Sequence, residues 1–109
     1  MKTVLPGDHP TLETVPGRFG EIIIVGENAM MMRLTVQPNV PTPPHNHPHE
    51  QVSYIAEGEL ILFMEGVGEQ KLVKGDLFAI PSGIPHTVQV LTKVVRIIDS
   101  FTPVREDFL

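Results

Sequence analysis

Three histidines stand at alternate positions in a short, proline-rich segment near the middle of the chain. The stretch "HNHPHEQ" holds His45, His47 and His49 and ends at Gln51. Side chains two residues apart share a face of an extended segment, so one strand can offer His45 and His47 to a single ion. Pro48 disturbs the pleat, which makes this phase argument firmer for that pair than for Gln51. The spacing is that of a metal site, and the alternative is a group of surface histidines in a proline-rich loop.

Another histidine follows much later, at the start of an apolar strand. His86 comes directly after the rigid loop "PSGIP", and an antiparallel neighbour would bring it beside His45 and His47. The chain has no cysteine, so thiolate ligands and cysteine nucleophiles are excluded. Three imidazoles and one oxygen ligand suit Zn, Ni, Fe, Mn or Cu better than Ca or Mg, which prefer oxygen shells. An ion bound by this group would therefore be one divalent transition metal.

The segments that must position these residues alternate with a period of two, which is typical of β-strands. Further strands are predicted in "EQVSYIA", "ELILFME", "QKLV", "LFAI", "HTVQV" and "VVRIIDSF", with tight turns at "GVGE" and "KGD". In the segment "MMMRLTV" one face is formed by Met30, Met32, Leu34 and Val36. Arg33 and Tyr54 are interpreted, together with the methionines at 30–32, as barrel lining. Eight or nine short strands predict one all-β domain over residues 1–109, a sandwich or a barrel.

The last predicted strand carries a second group of residues whose side chains could take part in a reaction. Alternation in "VVRIIDSF" puts Asp99 in phase with Phe101 and with apolar neighbours. A carboxylate that points into a barrel must meet a cation or hold its proton, and either environment suits acid–base chemistry. The alternative is that Asp99 lies at a strand end in water. Arg105 either folds back over the barrel mouth to clamp a carboxylate or is a solvated surface charge.

Composition limits the partners of the protein. The formal net charge is −5 and no basic cluster occurs, so nucleic acid is not an expected partner. No apolar run reaches the length of a signal peptide core or of a membrane span, and we expect a cytoplasmic protein that does not bind membranes. Strands such as "EIIIVG" and "VVRIIDSF" are apolar on both faces, which predicts that one face is covered in a homodimer.

Two sequence motifs resemble those of the cupins, which are small jelly-roll-type β-barrels built as a double-stranded β-helix. The first cupin motif is H-x-H, three or four residues, Glu or Gln, and a strand that ends in Gly. The stretch "HNHPHEQVSYIAEG" matches it, with Gly58 at its end. The second motif, G-x5-P-x-G-x2-H, is matched by "GDLFAIPSGIPH". The fixed positions of both motifs are occupied here by His45, His47, Gln51, Gly58, Gly75, Pro81, Gly83 and His86.

The resemblance implies a metal ligand at Gln51, where many cupins carry glutamate. His49 and then Glu50 are the other candidates for this fourth position. Three neutral imidazoles and a neutral amide would leave the charge of a dipositive metal uncompensated. Such a site would attract an anionic ligand, for example a carboxylate.

A narrower resemblance links "HPHEQ" and the ending "SFTPVREDFL" to the pectin-degradation cupins (KdgF-like). Those enzymes convert the cyclic 4,5-unsaturated uronate released by pectate or alginate lyases into its linear keto form. The resemblance implies that Asp99, Phe101 and Arg105 are site residues that do not bind metal. It also implies a small-molecule sugar acid as substrate, an isomerase-like reaction and a metal ion such as Zn, Ni, Fe or Mn. The metal ligands that it implies are His45, His47, Gln51 and His86.

Two other functions are compatible with these residues. Three histidines on a redox-active metal with open positions can bind a substrate and O₂, as in a metal-dependent dioxygenase. A cupin barrel can also serve as a non-catalytic sugar-binding or sensor module. Oxygen consumption would identify the first function, and binding of a uronate without turnover would identify the second.

Overall fold

The computed structural model describes residues 11–15, 17–38, 43–91 and 93–106, and these residues form nine β-strands. In chain order the strands are β1 (Thr11–Val15), β2 (Arg18–Val25), β3 (Met30–Val36), β4 (Glu50–Glu57), β5 (Glu59–Met64), β6 (Gly68–Val73), β7 (Leu77–Ile80), β8 (His86–Val90) and β9 (Val95–Thr102). The predicted all-β fold with eight or nine strands is confirmed. In the described part of the chain, no helix is long and apolar enough to cross a membrane.

The strands form two antiparallel sheets. The larger has the order β1-β2-β3-β9-β4-β7, and the smaller has the order β6-β5-β8. Because β9 pairs with both β3 and β4, the last described strand lies in the middle of the larger sheet. His45 and His86 form an isolated antiparallel bridge, which joins the segment before β4 to the first residue of β8. This bridge connects the larger sheet to the smaller one.

The apolar core lies between the two sheets, where alternate residues of each strand face inward. The larger cluster of buried side chains consists of Val36, Ile55, Leu60, Leu62, Leu72, Ile80, Val88, Val90, Val95 and Ile97. A smaller cluster of Met30, Met32 and Phe101 lies further along β3 and β9. The buried residues of β9 alternate as predicted, and Asp99 is among them. The inward face of β9 thus changes from aliphatic to polar at one position.

Three residues expected to line the barrel lie on its outside. Met31 is 39% exposed, Tyr54 is 42% exposed, and Arg33 forms an ion pair with Glu21, with 2.9 Å between Nη1 and Oε2. The prediction for these three side chains is wrong because all stand out of phase with their buried strand neighbours. The predicted apolar face of "EIIIVG" falls partly on Ile22 and Ile23, whose side chains lie outside the described part of the structure. The expectations for residues 1–10 also lie outside the described residues.

A glycine joins β4 to β5 where no other residue fits. Gly58 has φ +89°, and a Cβ atom there would lie 2.7 Å from the Val94 carbonyl oxygen and 2.8 Å from Val95 Cγ2. These distances are far below van der Waals contact. The close approach of β9 therefore explains why the first motif ends in glycine.

Replacing Gly58 with alanine should destabilise the fold strongly. Gly75→Ala is the matched control, because Gly75 also has a positive φ, +95°, but open space around it. We expect about 1–2 kcal/mol of destabilisation at Gly75 from backbone strain, and about 3 kcal/mol or more at Gly58 from strain plus overlap. Urea unfolding of both variants measures the difference. Equal losses would show that the contact with β9 is unimportant.

Candidate metal centre

Three imidazole rings converge at one end of the barrel. The bridge between His45 and His86 consists of two backbone hydrogen bonds, of 3.0 and 2.9 Å, and places their ring centroids 4.4 Å apart. The His47 ring lies 4.9 Å from the His86 ring. One nitrogen from each of the three rings lies within 4.8 Å of the others. His47 and His86 are buried and His45 is exposed at the rim, so the group forms a site open on one side.

Backbone carbonyls fix the proton positions on two of these rings. His47 Nδ1 donates to the His49 carbonyl oxygen at 2.9 Å, and His86 Nδ1 donates to the Ile84 carbonyl oxygen at 2.8 Å. A carbonyl oxygen can only accept, so Nδ1 carries the hydrogen in both rings. In the neutral rings Nε2 then keeps its lone pair, the form in which histidine binds a metal.

The amide of Gln51 is oriented with its oxygen toward His47. Gln51 Nε2 donates to Ser53 Oγ and to Asp99 Oδ1, both at 3.1 Å, so the NH₂ end of the amide faces these two acceptors. The amide oxygen lies 3.2 Å from His47 Nε2. With the His47 hydrogen on Nδ1, two lone-pair atoms face each other at this distance. A cation bound by both atoms would remove that conflict, so this donor set fits a metal ion.

The histidines are held in their neutral form. The pKa of His45 is lowered to about 4, mainly because surrounding protein atoms desolvate the ring and then because of the charges of His86 and Arg18. Burial also lowers the pKa of His47 and of His86. In His47 the nearby charge of Arg105 adds to this effect. Since metal binding requires neutral imidazole, these rings need lose no proton at neutral pH.

Asp99 lies at the bottom of the same site and is 5% exposed. Its Oδ1 atom accepts a hydrogen bond of 2.6 Å from Ser53 Oγ in addition to the bond from Gln51. Burial raises the pKa of Asp99, and the two hydrogen bonds and the charge of Arg18 oppose this effect. The alternative of a solvated Asp99 at a strand end is therefore wrong.

Two guanidinium groups add positive charge to the site. Arg105 lies against Phe101, with 5.0 Å from Cζ to the ring centroid, and its backbone N–H donates to Met30 Sδ at 3.1 Å. The Phe101 ring in turn meets the His47 ring edge to face at 5.6 Å. Arg18 on β2 interacts electrostatically with Asp99, and burial lowers its pKa. The site therefore combines neutral ligands with cationic neighbours.

The structure brings the seven predicted metal ligands and catalytic residues together. One continuous set of contacts at this end of the barrel contains His45, His47, Gln51, His86, Asp99, Phe101 and Arg105. His49 contributes its carbonyl oxygen to His47, while its ring centroid lies 5.8 Å from that of His47. Glu50 is exposed. Of the three candidates for the fourth ligand, Gln51 is the one whose side-chain oxygen lies beside His47 Nε2, the ring nitrogen that keeps its lone pair.

Sequence reasoning missed Ser53 and Arg18. Ser53 follows Gln51 by two residues on β4, so the period-two pattern that selected Gln51 could have selected it. Arg18 lies opposite the buried Val36, and the next residue on its face, Gly20, has no side chain. The sequence pattern "RFG" thus marks a position where a long side chain can run along the inside of a sheet.

The chain belongs to the cupin family. The sequence profile of the cupin domain matches residues 32–101, a range that contains both motifs and all the clustered histidines. The fold is the double-stranded β-helix of that family, as the motifs predicted.

The similarity to the pectin-degradation cupins is confirmed as well. The pectin degradation protein KdgF of Dickeya dadantii (strain 3937) is 32% identical over 104 residues, which cover 94% of this chain and 93% of the relative. The solved structure of KdgF from Halomonas sp. matches with a TM-score of 0.89 and 26% identity, over 99% of this chain and 100% of the other. An RmlC-like cupin of Shewanella frigidimarina also gives a TM-score of 0.89, with 27% identity over 100% of this chain and 96% of the other.

Acid should destabilise the metal-free protein through His45. Its pKa is about 4 in the folded protein and 6.5 ordinarily. Between these values the unfolded chain binds a proton that the folded chain does not, so the free energy of unfolding falls as the pH falls. Urea unfolding at about pH 7.5 and about pH 5 should show a larger loss for the wild type than for His45→Gln. Equal losses of unfolding free energy in the two proteins would contradict the lowered pKa of His45.

The comparison of these two proteins isolates His45. The raised pKa of Asp99 has the opposite effect on stability, because there the folded protein binds the extra proton. Since Asp99 is present in both proteins, its contribution is largely removed when the two losses are subtracted.

Proposed function

We propose that this protein is a metal-dependent enzyme that converts a cyclic 4,5-unsaturated uronate, from pectin or alginate breakdown, into its linear keto form. The observation that carries the proposal is the buried Asp99 carboxyl group, which is hydrogen-bonded to Gln51 beside the three histidines. Similarity to a pectin degradation protein over 94% of the chain supports the substrate class. We further propose that residues 1–109 act as a single domain in the cytoplasm, where the absence of cysteine fits a reducing compartment.

Charge explains why a sugar acid would bind here. A divalent metal held by His45, His47, His86 and Gln51 would act as a Lewis acid toward a substrate oxygen. These four ligands are neutral, and a substrate carboxylate would supply the missing negative charge. Arg105 would pair with that carboxylate through two N–H groups. Phe101, against which the guanidinium lies, would present an apolar wall to the sugar ring.

Asp99 would move the protons. When the hemiacetal opens, its hydroxyl loses a proton and the ring oxygen gains one, which leaves an enol. The enol then loses its hydroxyl proton and gains a proton at carbon, so the reaction is an isomerisation with no net change in protons. Asp99 Oδ1 already accepts two hydrogen bonds, and Oδ2 is therefore the atom assigned to exchange these protons. Burial raises the pKa of Asp99, so its carboxyl group holds a proton more readily than an exposed one, as a group that both gives and takes protons requires.

Two measurements test the proposal. Elemental analysis of the purified protein should find about one equivalent of a transition metal. An unsaturated galacturonate should then lose the ultraviolet absorbance of its conjugated double bond under nitrogen, and chelation should stop the reaction. Turnover that requires O₂ would favour a dioxygenase instead, and uronate binding without turnover would favour a sugar-binding module.

Asp99→Asn should abolish turnover and leave the metal in place. Asparagine keeps the shape and an acceptor oxygen for Gln51 and Ser53, but it carries no exchangeable carboxyl proton. We expect the turnover number to fall at least about a hundredfold with unchanged metal content. The control is Glu65→Gln, which removes an acid from an exposed turn. Full activity in Asp99→Asn would exclude Asp99 as the proton-transfer group.

We also propose that the outer face of the larger sheet forms a homodimer. This face has a groove lined by Met31, Val52, Ser53, Tyr54, Leu77, Phe78, Ala79, Ile98 and Ser100, none of which is charged. A twofold axis through it would therefore bring no like charges together, although the chain as a whole carries a net charge of −5. Leu77, which is 73% exposed, lies within this apolar surface.

Sedimentation tests the dimer. The wild type should sediment as a dimer at micromolar concentration, and Leu77→Glu should sediment as a monomer. Val67→Glu is the matched control, because Val67 is 80% exposed in the turn between β5 and β6, away from the groove. A monomeric wild type would contradict the proposal, as would equal behaviour of the two variants.

A further inference from the structure

A buried triangle of hydrogen bonds connects a proposed metal ligand to the buried carboxyl group, and Ser53 is one of its corners. The Ser53 hydroxyl accepts from Gln51 Nε2 at 3.1 Å and donates to Asp99 Oδ1 at 2.6 Å. The direct bond from Gln51 Nε2 to Asp99 Oδ1, also 3.1 Å, closes the triangle. None of the three side chains is more than 8% exposed. Water therefore competes little with these bonds.

Strand pairing places the hydroxyl at this point. Ser53 lies directly opposite Asp99 where β4 pairs with β9, and Gln51 is two residues away on the same face of β4. A hydroxyl group donates and accepts at once, so it can serve an amide donor and a carboxyl acceptor together. An aliphatic side chain at position 53 would remove one of the two acceptors of the amide and one of the two donors to the Asp99 carboxyl group in a buried site.

The orientation of the amide decides whether Gln51 can bind a metal. The amide oxygen is a metal ligand, whereas the amide nitrogen has no available lone pair. Rotation about the last side-chain bond of glutamine is soft, so one contact alone holds the amide poorly. Because Ser53 and Asp99 together hold the NH₂ end of the amide, its oxygen faces His47.

We propose that Ser53 is a positioning residue that keeps the Gln51 amide oxygen turned toward His47 and thus toward the metal. The inference rests on the proposed metal site but requires no particular substrate. Ser53 itself would touch neither the metal nor the substrate. Ser53 would act through Gln51. Its replacement should therefore change the metal affinity, which can be measured without substrate.

The experiment is a titration of metal-free protein with Ni²⁺ by calorimetry, at one pH and without substrate. Removing a group that orients a metal ligand typically weakens binding about 10–100-fold, and we expect a loss in this range for Ser53→Ala. Ser53→Thr keeps the hydroxyl and should bind nearly as tightly as the wild type. Ser53→Val has the shape of the threonine variant without the hydroxyl and should bind as weakly as Ser53→Ala. Ser100→Ala, on the outer groove of the neighbouring strand, is the control and should bind normally.

A second readout distinguishes positioning from general stability. The visible absorption of the Co²⁺-loaded protein reports the number and type of ligands, and it should change in Ser53→Ala and Ser53→Val but not in Ser53→Thr. If Ser53→Ala lowers the unfolding temperature while Ni²⁺ affinity and the Co²⁺ spectrum stay unchanged, the proposal is overturned. Should Ser53→Ala fail to fold, the threonine and valine variants decide, because they differ only in the hydroxyl.

The same data separate this inference from the proposed function. A wild type that binds Ni²⁺ but does not convert the unsaturated uronate would refute the proposed reaction and leave the role of Ser53 standing. A wild type that converts the uronate, with Ni²⁺ affinity unaffected by loss of the hydroxyl, would refute the role of Ser53 alone.

Discussion

The carboxyl group of Asp99 is buried in the barrel, and the arrangement of the site follows from the need to keep it hydrogen-bonded there. A buried polar group without partners costs several kcal/mol, about 2–7 by transfer estimates, so its neighbours must be donors. Gln51 and Ser53 supply those donors from the strand paired with that of Asp99. Because these two groups hold the NH₂ end of the Gln51 amide, its oxygen faces the histidines. The buried carboxyl group of Asp99 thereby sets the direction of the Gln51 amide.

The position of β9 makes this arrangement available. Because β9 lies between β3 and β4, its inward residues meet partners from both neighbours at each level. Ile97 is paired with Leu34 and Ile55, and belongs to the apolar core. One level further, Asp99 is paired with Met32 and Ser53. The core and the site are therefore consecutive layers of one barrel, and the core holds the backbone on which the site is built.

Much of this arrangement could be predicted from the sequence, because it depends on the period of two. The same alternation that identified the strands put His45 beside His47 and turned Asp99 inward, and motif spacing added His86. Alternation and motif spacing together were enough to predict the fold and the clustering of these residues. The errors concern Met31, Arg33 and Tyr54. These side chains were expected inside the barrel although the alternation of their own strands put them on its outer face.

The contacts between distant polar side chains could not be predicted. The choice of Gln51 over His49 and Glu50 as the fourth ligand depends on the hydrogen bonds that orient the Gln51 amide. One of these bonds is to Asp99, which lies 48 residues away in sequence. The alternation of β4 puts Ser53 on the same face as Gln51, but the residue type gave no indication of its contact with Asp99. Arg18 acts across the sheet from β2, which no local pattern links to the histidines. The three-dimensional pairing of strands decides these cases.

The histidine bridge has a mechanical consequence. His86 begins a strand of the smaller sheet, while His47 and Gln51 belong to the chain that leads into and forms β4 of the larger sheet. An ion bound by all of them would be a cross-link between the two sheets at the open end of the barrel. Because a ligand that binds only the folded state shifts the folding equilibrium, the resistance of the barrel to unfolding would depend on the concentration of free metal. The ion would then stabilise the fold in addition to its proposed role in the reaction.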